Sequence, residues 1–291
     1  MGPDSSPDPC QARHSPNPAL IGRRPVRRAM SATERVGHDG RETAYRRTDY
    51  GAGPTVCYVH GAGGNHQVWV HQYGDRRGPP AVAVDLSGHG DSDDVDVEVE
   101  VDVPAGTATL DAYADDVVAT CEATDATVLC GHSMGGAVSL WVALERDLPL
   151  EGLVLCDTGA KLGVDDALLE QLADDFDAAV EWLHAEGMFF AEPDADLVAH
   201  SEAGLRRTGR EVTLRDFETC DAFDVRDRLQ EVAVPALAVC GERDRLTPPA
   251  YHEYLSDELP DCKYRTVTDA AHMPMLERPD AFNETIRSFL V

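Results

Sequence analysis

Basic side chains are scarce in this chain, and lysine is almost missing. Only Lys161 and Lys263 occur among 25 Lys and Arg, against 53 Asp and Glu, for a formal net charge of −28. A field of that sign repels a phosphate backbone, so no nucleic acid partner is expected. No apolar run approaches the roughly 18 residues that cross a bilayer, so no membrane helix and no membrane partner are expected. Eight cysteines occur, but never as C-x-x-C and never with histidine at zinc-ligand spacing. That pattern offers neither a zinc site nor a redox dithiol. Cys57, Cys130, Cys156 and Cys240 lie in apolar, strand-like runs, where a free thiol packs as a small hydrophobe. A reduced, cytoplasmic setting follows as the expectation.

The acids are spread along the whole chain instead of forming one patch. This is the pattern of a halophilic protein, in which salt screens self-repulsion while carboxylates hold water. It predicts instability in dilute buffer. The hydrophobic share of 43% is that of a globular protein. A length of 291 residues fits one α/β domain with an inserted subdomain.

Residues 1–29 stand apart, rich in Pro and Ser, with five arginines against Asp4 and Asp8. Their arginine pairs precede Ser31-Ala32-Thr33-Glu34-Arg35 instead of an apolar segment, which rules out a twin-arginine export signal. They read as a disordered tail, or as a mis-assigned start with Met30 as the first residue.

From Thr55 onward, strand and helix patterns alternate, the mark of a parallel sheet wrapped by helices. Strands are expected at Thr55–Val59, Ala81–Asp85, Thr127–Cys130, Gly152–Cys156, Ala236–Cys240 and Tyr264–Val267. A helix is expected over Thr107–Ala123, where Leu110, Tyr113, Val117, Val118 and Cys121 share one face. The run Asp93–Val103 alternates acid and valine and reads as an acidic surface loop or hairpin arm. Between the strands at Gly152–Cys156 and Ala236–Cys240 lies an interval far longer than a crossover helix needs. It holds helical patterns at Leu168–Phe176 and Ala178–Leu183. Residues 161–231 therefore read as a helical cap, with a crossover carrying extra packing helices as the alternative, and residues 30–160 and 232–291 as the core.

The chemistry centres on Gly131-His132-Ser133-Met134-Gly135, between a strand-like run and a helix-like one. A turn this tight strains its central residue and tolerates little side chain on either side, hence the flanking glycines. It lifts the Ser133 hydroxyl clear of the backbone at a helix N-terminus. The first strand ends in His60-Gly61-Ala62-Gly63-Gly64, where glycines let amide donors approach a substrate oxygen. The second runs into Asp85-Leu86-Ser87-Gly88-His89-Gly90-Asp91-Ser92, read as a structural turn in which His89 stabilises the loop. His132 is expected to pack beneath the serine turn, and His60 to shape the glycine loop.

Near the C-terminus, Gly241-Glu242-Arg243-Asp244 follows one strand and Ala271-His272-Met273-Pro274 the next. An acid and a histidine on adjacent strand ends can meet in space. Asp157, after the strand before the cap, and Asp269, near His272, remain alternative acids. The order Ser133, Asp244, His272 differs from both protease arrangements of the same three groups.

On these motifs, taken in order from about residue 41 to 291, the chain resembles the α/β-hydrolase superfamily. The resemblance implies a mostly parallel central sheet flanked by helices, with a helical cap inserted before the acid-bearing strand. It further implies Ser133 as nucleophile, His272 as base, Asp244 as the acid that orients it, and the amides of Ala62 and Met134 as oxyanion hole. No cofactor and no metal is implied. Serine at the elbow argues against the epoxide hydrolases and haloalkane dehalogenases of this fold, which resemble this chain but carry aspartate there. Carboxylesterase, enol-lactonase, C–C bond hydrolase and haloperoxidase-like activity stay open, as does a small-molecule-binding protein on a hydrolase scaffold. Each takes a small-molecule partner, an ester or lactone in the leading readings. Trp182, Met188, Phe189 and Phe190 suggest an acyl pocket, or packing of the cap onto the sheet. The oligomeric state is not legible.

Overall fold

Alternating side chains along short apolar strands build this molecule from a single sheet with both faces covered. The structure, a computed structural model, describes residues 1–2, 32–95, 106–192 and 194–290. The expectations for nearly all of residues 1–29, and for most of Asp93–Val103, lie outside the described residues. Strand β1 (Thr33–His38) and β2 (Arg41–Thr48) are followed by β3 (Thr55–Val59), a one-turn helix α1 (Val70–Tyr73) and β4 (Ala81–Val84). Helix α2 (Thr107–Thr124), β5 (Ala126–His132), α3 (Met134–Glu145) and β6 (Gly152–Cys156) complete the first part. Four helices come next: α4 (Asp166–Asp174), α5 (Phe176–Leu183), α6 (Ala195–Thr208) and α7 (Arg210–Ala222). The chain ends with β7 (Ala236–Gly241), α8 (Pro249–Glu258), β8 (Cys262–Val267), α9 (Pro274–Glu277) and α10 (Pro279–Phe289).

The eight strands lie in the order β1-β2-β4-β3-β5-β6-β7-β8. Strands β1 and β2 are antiparallel to each other, and β2 is antiparallel to β4. All remaining pairs are parallel. Val56, Tyr58, Val128, Cys130, Val154, Cys156, Leu237 and Val239 bury on one face with Trp69 and Phe282. Their neighbours Cys57, Val59, Leu129, Leu153, Leu155, Ala236 and Ala238 bury on the other, with α2 and α3. Strands buried on both faces read as continuous apolar runs, which is why β3 to β7 are visible in the sequence; β8, at the sheet edge, is largely exposed. Cys57, Cys121, Cys130, Cys156, Cys220 and Cys240 are buried free thiols, and Cys262 is a partly exposed one.

The β1–β2 hairpin is an addition to the expected sheet. β1 is largely exposed and β2 buries only Thr43, Ala44 and Tyr45 among charged neighbours, so period and hydropathy conceal them. The signal that marks it is Asp39-Gly40, both at positive φ (45° and 79°), the two-residue turn that suits a hairpin. In the four-helix insert the abundant acids serve as caps. Asp165 accepts from Ala167 N–H (2.8 Å), Asp175 from Ala178 N–H (3.2 Å), and Asp194 from Leu197 N–H (3.1 Å). Each such cap stabilises its helix by about 1 kcal/mol.

Candidate active site

Ser133 joins β5 to α3 at φ 52° and ψ −118°, a strained backbone for a residue with a Cβ. Four bonds hold it there. Its N–H donates to Cys156 O (2.9 Å), and its carbonyl accepts from Gly136 N–H (2.9 Å), Ala137 N–H (3.3 Å) and Thr158 Oγ1 (2.8 Å). The flanking glycines are required by crowding. A Cβ on Gly131 would lie 2.1 Å from Gly135 O, and one on Gly135 would lie 2.4 Å from Val59 O. Met134, the residue after Ser133, opens α3, whose first-turn N–H groups lack helical partners.

Asp244 and His272 meet as the two strand ends suggest. The carboxylate Oδ2 of Asp244 accepts from His272 Nδ1 at 3.0 Å. Both side chains are almost fully buried. Asp244 also accepts from Thr247 Oγ1 (2.6 Å) and from the N–H groups of Leu246 (2.9 Å) and Thr247 (3.2 Å). Burial alone would raise its pKa, but the His272 charge and these donors hold it well below the usual carboxylate range. Thr247 is a site residue that the sequence reading did not single out. Its signal was the Thr-Pro-Pro that closes the acid's turn. Among the described residues no hydrogen bond joins Ser133 Oγ to His272.

The other histidines nearby are held neutral. Burial, then the His272 charge, pushes His132 down to about 3. It packs under the serine turn as expected, donating Nε2–H to His272 O at 2.8 Å. Burial and the neighbouring His89 push His60 down to about 4. Its Nδ1 donates to Gly61 O (2.9 Å) while Nε2 accepts from Leu86 N–H (3.1 Å). His252, pushed down to about 4 chiefly by burial, accepts from Thr158 N–H.

The alternative acids are placed differently. Asp269 is half-exposed and paired with Arg243. Asp157 is fully buried, with Oδ1 accepting from Gly241 N–H (2.8 Å) and Oδ2 from the Cys156 thiol (3.0 Å). Asp157, Asp244 and His272 bring ligand-type atoms within 4.8 Å of one another. Asp244 Oδ2 and His272 Nδ1 are already spent on each other, so the trio suits proton chemistry better than a cation. Burial, then the Asp244 charge, holds the Asp157 carboxyl well above its ordinary range. Such a group stabilises the fold below its unfolded pKa, and that contribution is lost as pH rises toward the folded value. Asp157→Asn cannot ionise, tolerates the positive φ of 44°, and retains an acceptor for Gly241 N–H. Its melting temperature should exceed that of the wild type by a margin that widens from pH 5 to pH 8. Thermal melts across that range check this, and a difference independent of pH would refute the raised pKa.

The loop after β3 lies against the serine. A Cβ on Gly61 would sit 3.1 Å from Ser133 Cβ and 2.8 Å from His132 Nδ1. Gly64 N–H closes the turn onto Gly61 O at 3.0 Å. Ala62 lies within this turn, half-buried. From the insert, the Phe189 ring stacks on His272, with centroids 5.9 Å apart and planes 15° apart. Phe190 is buried. Trp182 is 41% exposed on α5, because the buried face of that helix is taken by Ala179, Val180 and Leu183.

A model of the alpha/beta hydrolase family matches residues 58–285. A pimeloyl-acyl-carrier-protein methyl ester esterase of Neisseria meningitidis is 30% identical over 253 residues, covering 81% of this chain and 76% of its own length. A 3-oxoadipate enol-lactonase of Acinetobacter baylyi is 24% identical over 253 residues, covering 81% and 88%. The solved structure of a thermophilic esterase superposes with a TM-score of 0.77 at 30% identity, over 89% of this chain and 97% of that one. With its mostly parallel sheet, its serine at a strained strand–helix junction and this match over most of its length, the chain belongs to the alpha/beta hydrolase family.

Proposed function

We propose that this protein is a serine hydrolase that cleaves a small carboxylic ester through an acyl-enzyme on Ser133. The observation that carries the reading is the buried Asp244–His272 hydrogen bond at 3.0 Å, beside a serine held at positive φ on a helix N-terminus. His272 Nε2 takes the Ser133 proton as Oγ bonds to the ester carbon. The oxyanion then collects the N–H groups of Ala62 and Met134. His272 returns the proton to the leaving alcohol as the C–O bond breaks. Water, activated by the same base, attacks the acyl carbon and releases the acid and Ser133. Asp244 keeps Nδ1 protonated, so Nε2 stays free to accept.

Residues 161–231 act as a cap over the core formed by residues 30–160 and 232–291. The aromatic Phe189 on His272 supports this. The cap carries 19 Asp and Glu against 7 Lys and Arg. In this reading the substrate is a free small molecule. The 3-oxoadipate enol-lactonase among the relatives makes an enol-lactone the second reading.

Protein held in about 1 M KCl, where the Debye length falls to about 3 Å, should turn over p-nitrophenyl butyrate many times. It should lose that activity when a fluorophosphonate labels Ser133. Labelling without multiple turnover would instead support a binding protein on a hydrolase scaffold. A panel of esters, lactones and dienoate substrates separates the remaining chemistries. The charge of −28 also predicts a halophilic stability profile. The melting temperature should rise by on the order of 10 °C between dilute buffer and molar KCl as self-repulsion is screened. A flat salt profile would overturn that reading.

A further inference from the structure

Gly63 is where the helical insert grips the loop beside the serine. It stands at φ +65°, and a Cβ there would lie 2.5 Å from Leu205 Cδ1 and 3.1 Å from Thr213 Oγ1. Both polar groups of its backbone are taken by insert side chains. Its N–H donates to Asp216 Oδ2 on α7 at 2.7 Å, and its carbonyl accepts from Thr208 Oγ1 at the end of α6 at 2.8 Å.

Asp216 is fully buried, a costly placement unless its oxygens are well supplied with donors. Three separate pieces of the core supply them. Besides Gly63 N–H, Oδ2 accepts from His89 Nε2 (2.8 Å), and Oδ1 accepts from the Tyr113 hydroxyl (2.6 Å). His89 Nδ1 faces Ser87 O at 3.0 Å, and a carbonyl only accepts. Both ring nitrogens therefore donate, which makes His89–Asp216 an imidazolium–carboxylate pair. Arg215 closes the cluster, bonding the Tyr113 hydroxyl (3.2 Å) and Asp94 (2.9 Å).

The peptide plane that bears Ala62 N–H also bears Gly61 O. That oxygen is held by Gly64 N–H and His60 Nδ1. Rotating the turn at Gly63 would tilt this plane and swing Ala62 N–H off its target. We propose that Asp216 and Thr208 are positioning residues for ester hydrolysis: by clasping the N–H and C=O of Gly63 they fix the Gly61–Gly64 turn and so aim Ala62 N–H at the oxyanion. Seating the cap and completing the oxyanion site are then one event. This rests on the serine-hydrolase reading above. Neither residue touches the reacting atoms.

The test compares Asp216→Asn and Thr208→Val with the wild type in molar KCl, by p-nitrophenyl butyrate kinetics and by amide hydrogen exchange of the Gly61–Asn65 segment. Asparagine cannot serve all three donors, because one of its two terminal atoms is itself a donor. Misaiming one oxyanion donor should lower kcat about 10-fold to 100-fold in Asp216→Asn. The near-isosteric Thr208→Val should lose less. KM should stay within about twofold, since substrate binding is untouched. The Gly61–Asn65 segment should exchange faster in both variants. Folded variants that keep wild-type kcat and wild-type exchange would overturn the proposal. A lower melting temperature with kcat and exchange unchanged would do the same, since it marks a purely structural role. If Asp216→Asn does not fold, Thr208→Val, altered at one partly buried hydroxyl, decides by the same readouts. Absence of ester turnover in the wild type would sink the functional reading alone, because exchange still reports on the clasp.

Discussion

Replacing Ser133 with alanine should reduce p-nitrophenyl ester turnover by about 10⁶-fold, leaving only the residual catalysis of the binding site and its amide donors. The fold should survive intact. Serine and alanine both carry a Cβ, so the strain at φ 52° is common to both and cancels in the comparison. The backbone bonds to Cys156, Gly136 and Thr158 do not involve the hydroxyl. Matching melting curves together with a loss of that size would single out the Oγ atom. Retained turnover in a folded Ser133→Ala would end the assignment of Ser133 as nucleophile.

The second large effect concerns the acid. Asp244→Asn should lower kcat by about 10⁴-fold, because an amide can hold the His272 ring in the wrong tautomer with Nε2 protonated. Asp157→Asn should keep turnover within about tenfold of the wild type, since the amide retains the shape and an acceptor for Gly241 N–H and leaves the Asp244–His272 bond in place. The pair of variants discriminates between the two buried carboxyls, which lie within 4.8 Å of each other. Reversed outcomes would transfer the orienting role to Asp157. The physical asymmetry behind this prediction is plain. Asp244 receives four donors on its two oxygens, counting His272 Nδ1. Asp157 receives one amide and a thiol, too little to keep a second negative charge beside the first.

The parts of the molecule legible in sequence are those where local pattern and tertiary need coincide. Strands buried on both faces read as apolar runs, and the serine elbow reads as a pair of glycines that crowding makes obligatory at Gly131 and Gly135. Asp244 and His272 were placed by the strands that precede them. The β1–β2 hairpin was hidden because charged residues interrupt both strands, even around the buried Thr43, Ala44 and Tyr45 of β2. Asp216 was hidden for a different reason. In a chain with 53 acids, nothing local sets apart the one whose three donors come from segments 103 to 153 positions away. The exposure of Trp182 was missed because α5 spends its buried stripe on smaller residues.

The grip on Gly63 bears on how such enzymes diverge. If an insert carries the carboxylate and hydroxyl that align the loop of its own core, it is not an interchangeable module. A chimera that took a relative's insert without matching groups at the Asp216 and Thr208 positions would acquire a new pocket above a misaligned site. Selection for a new substrate in this lineage should therefore proceed by replacing side chains within the insert while its two contact points stay in place. Wholesale exchange would have to move the loop and the insert together, as one inherited unit.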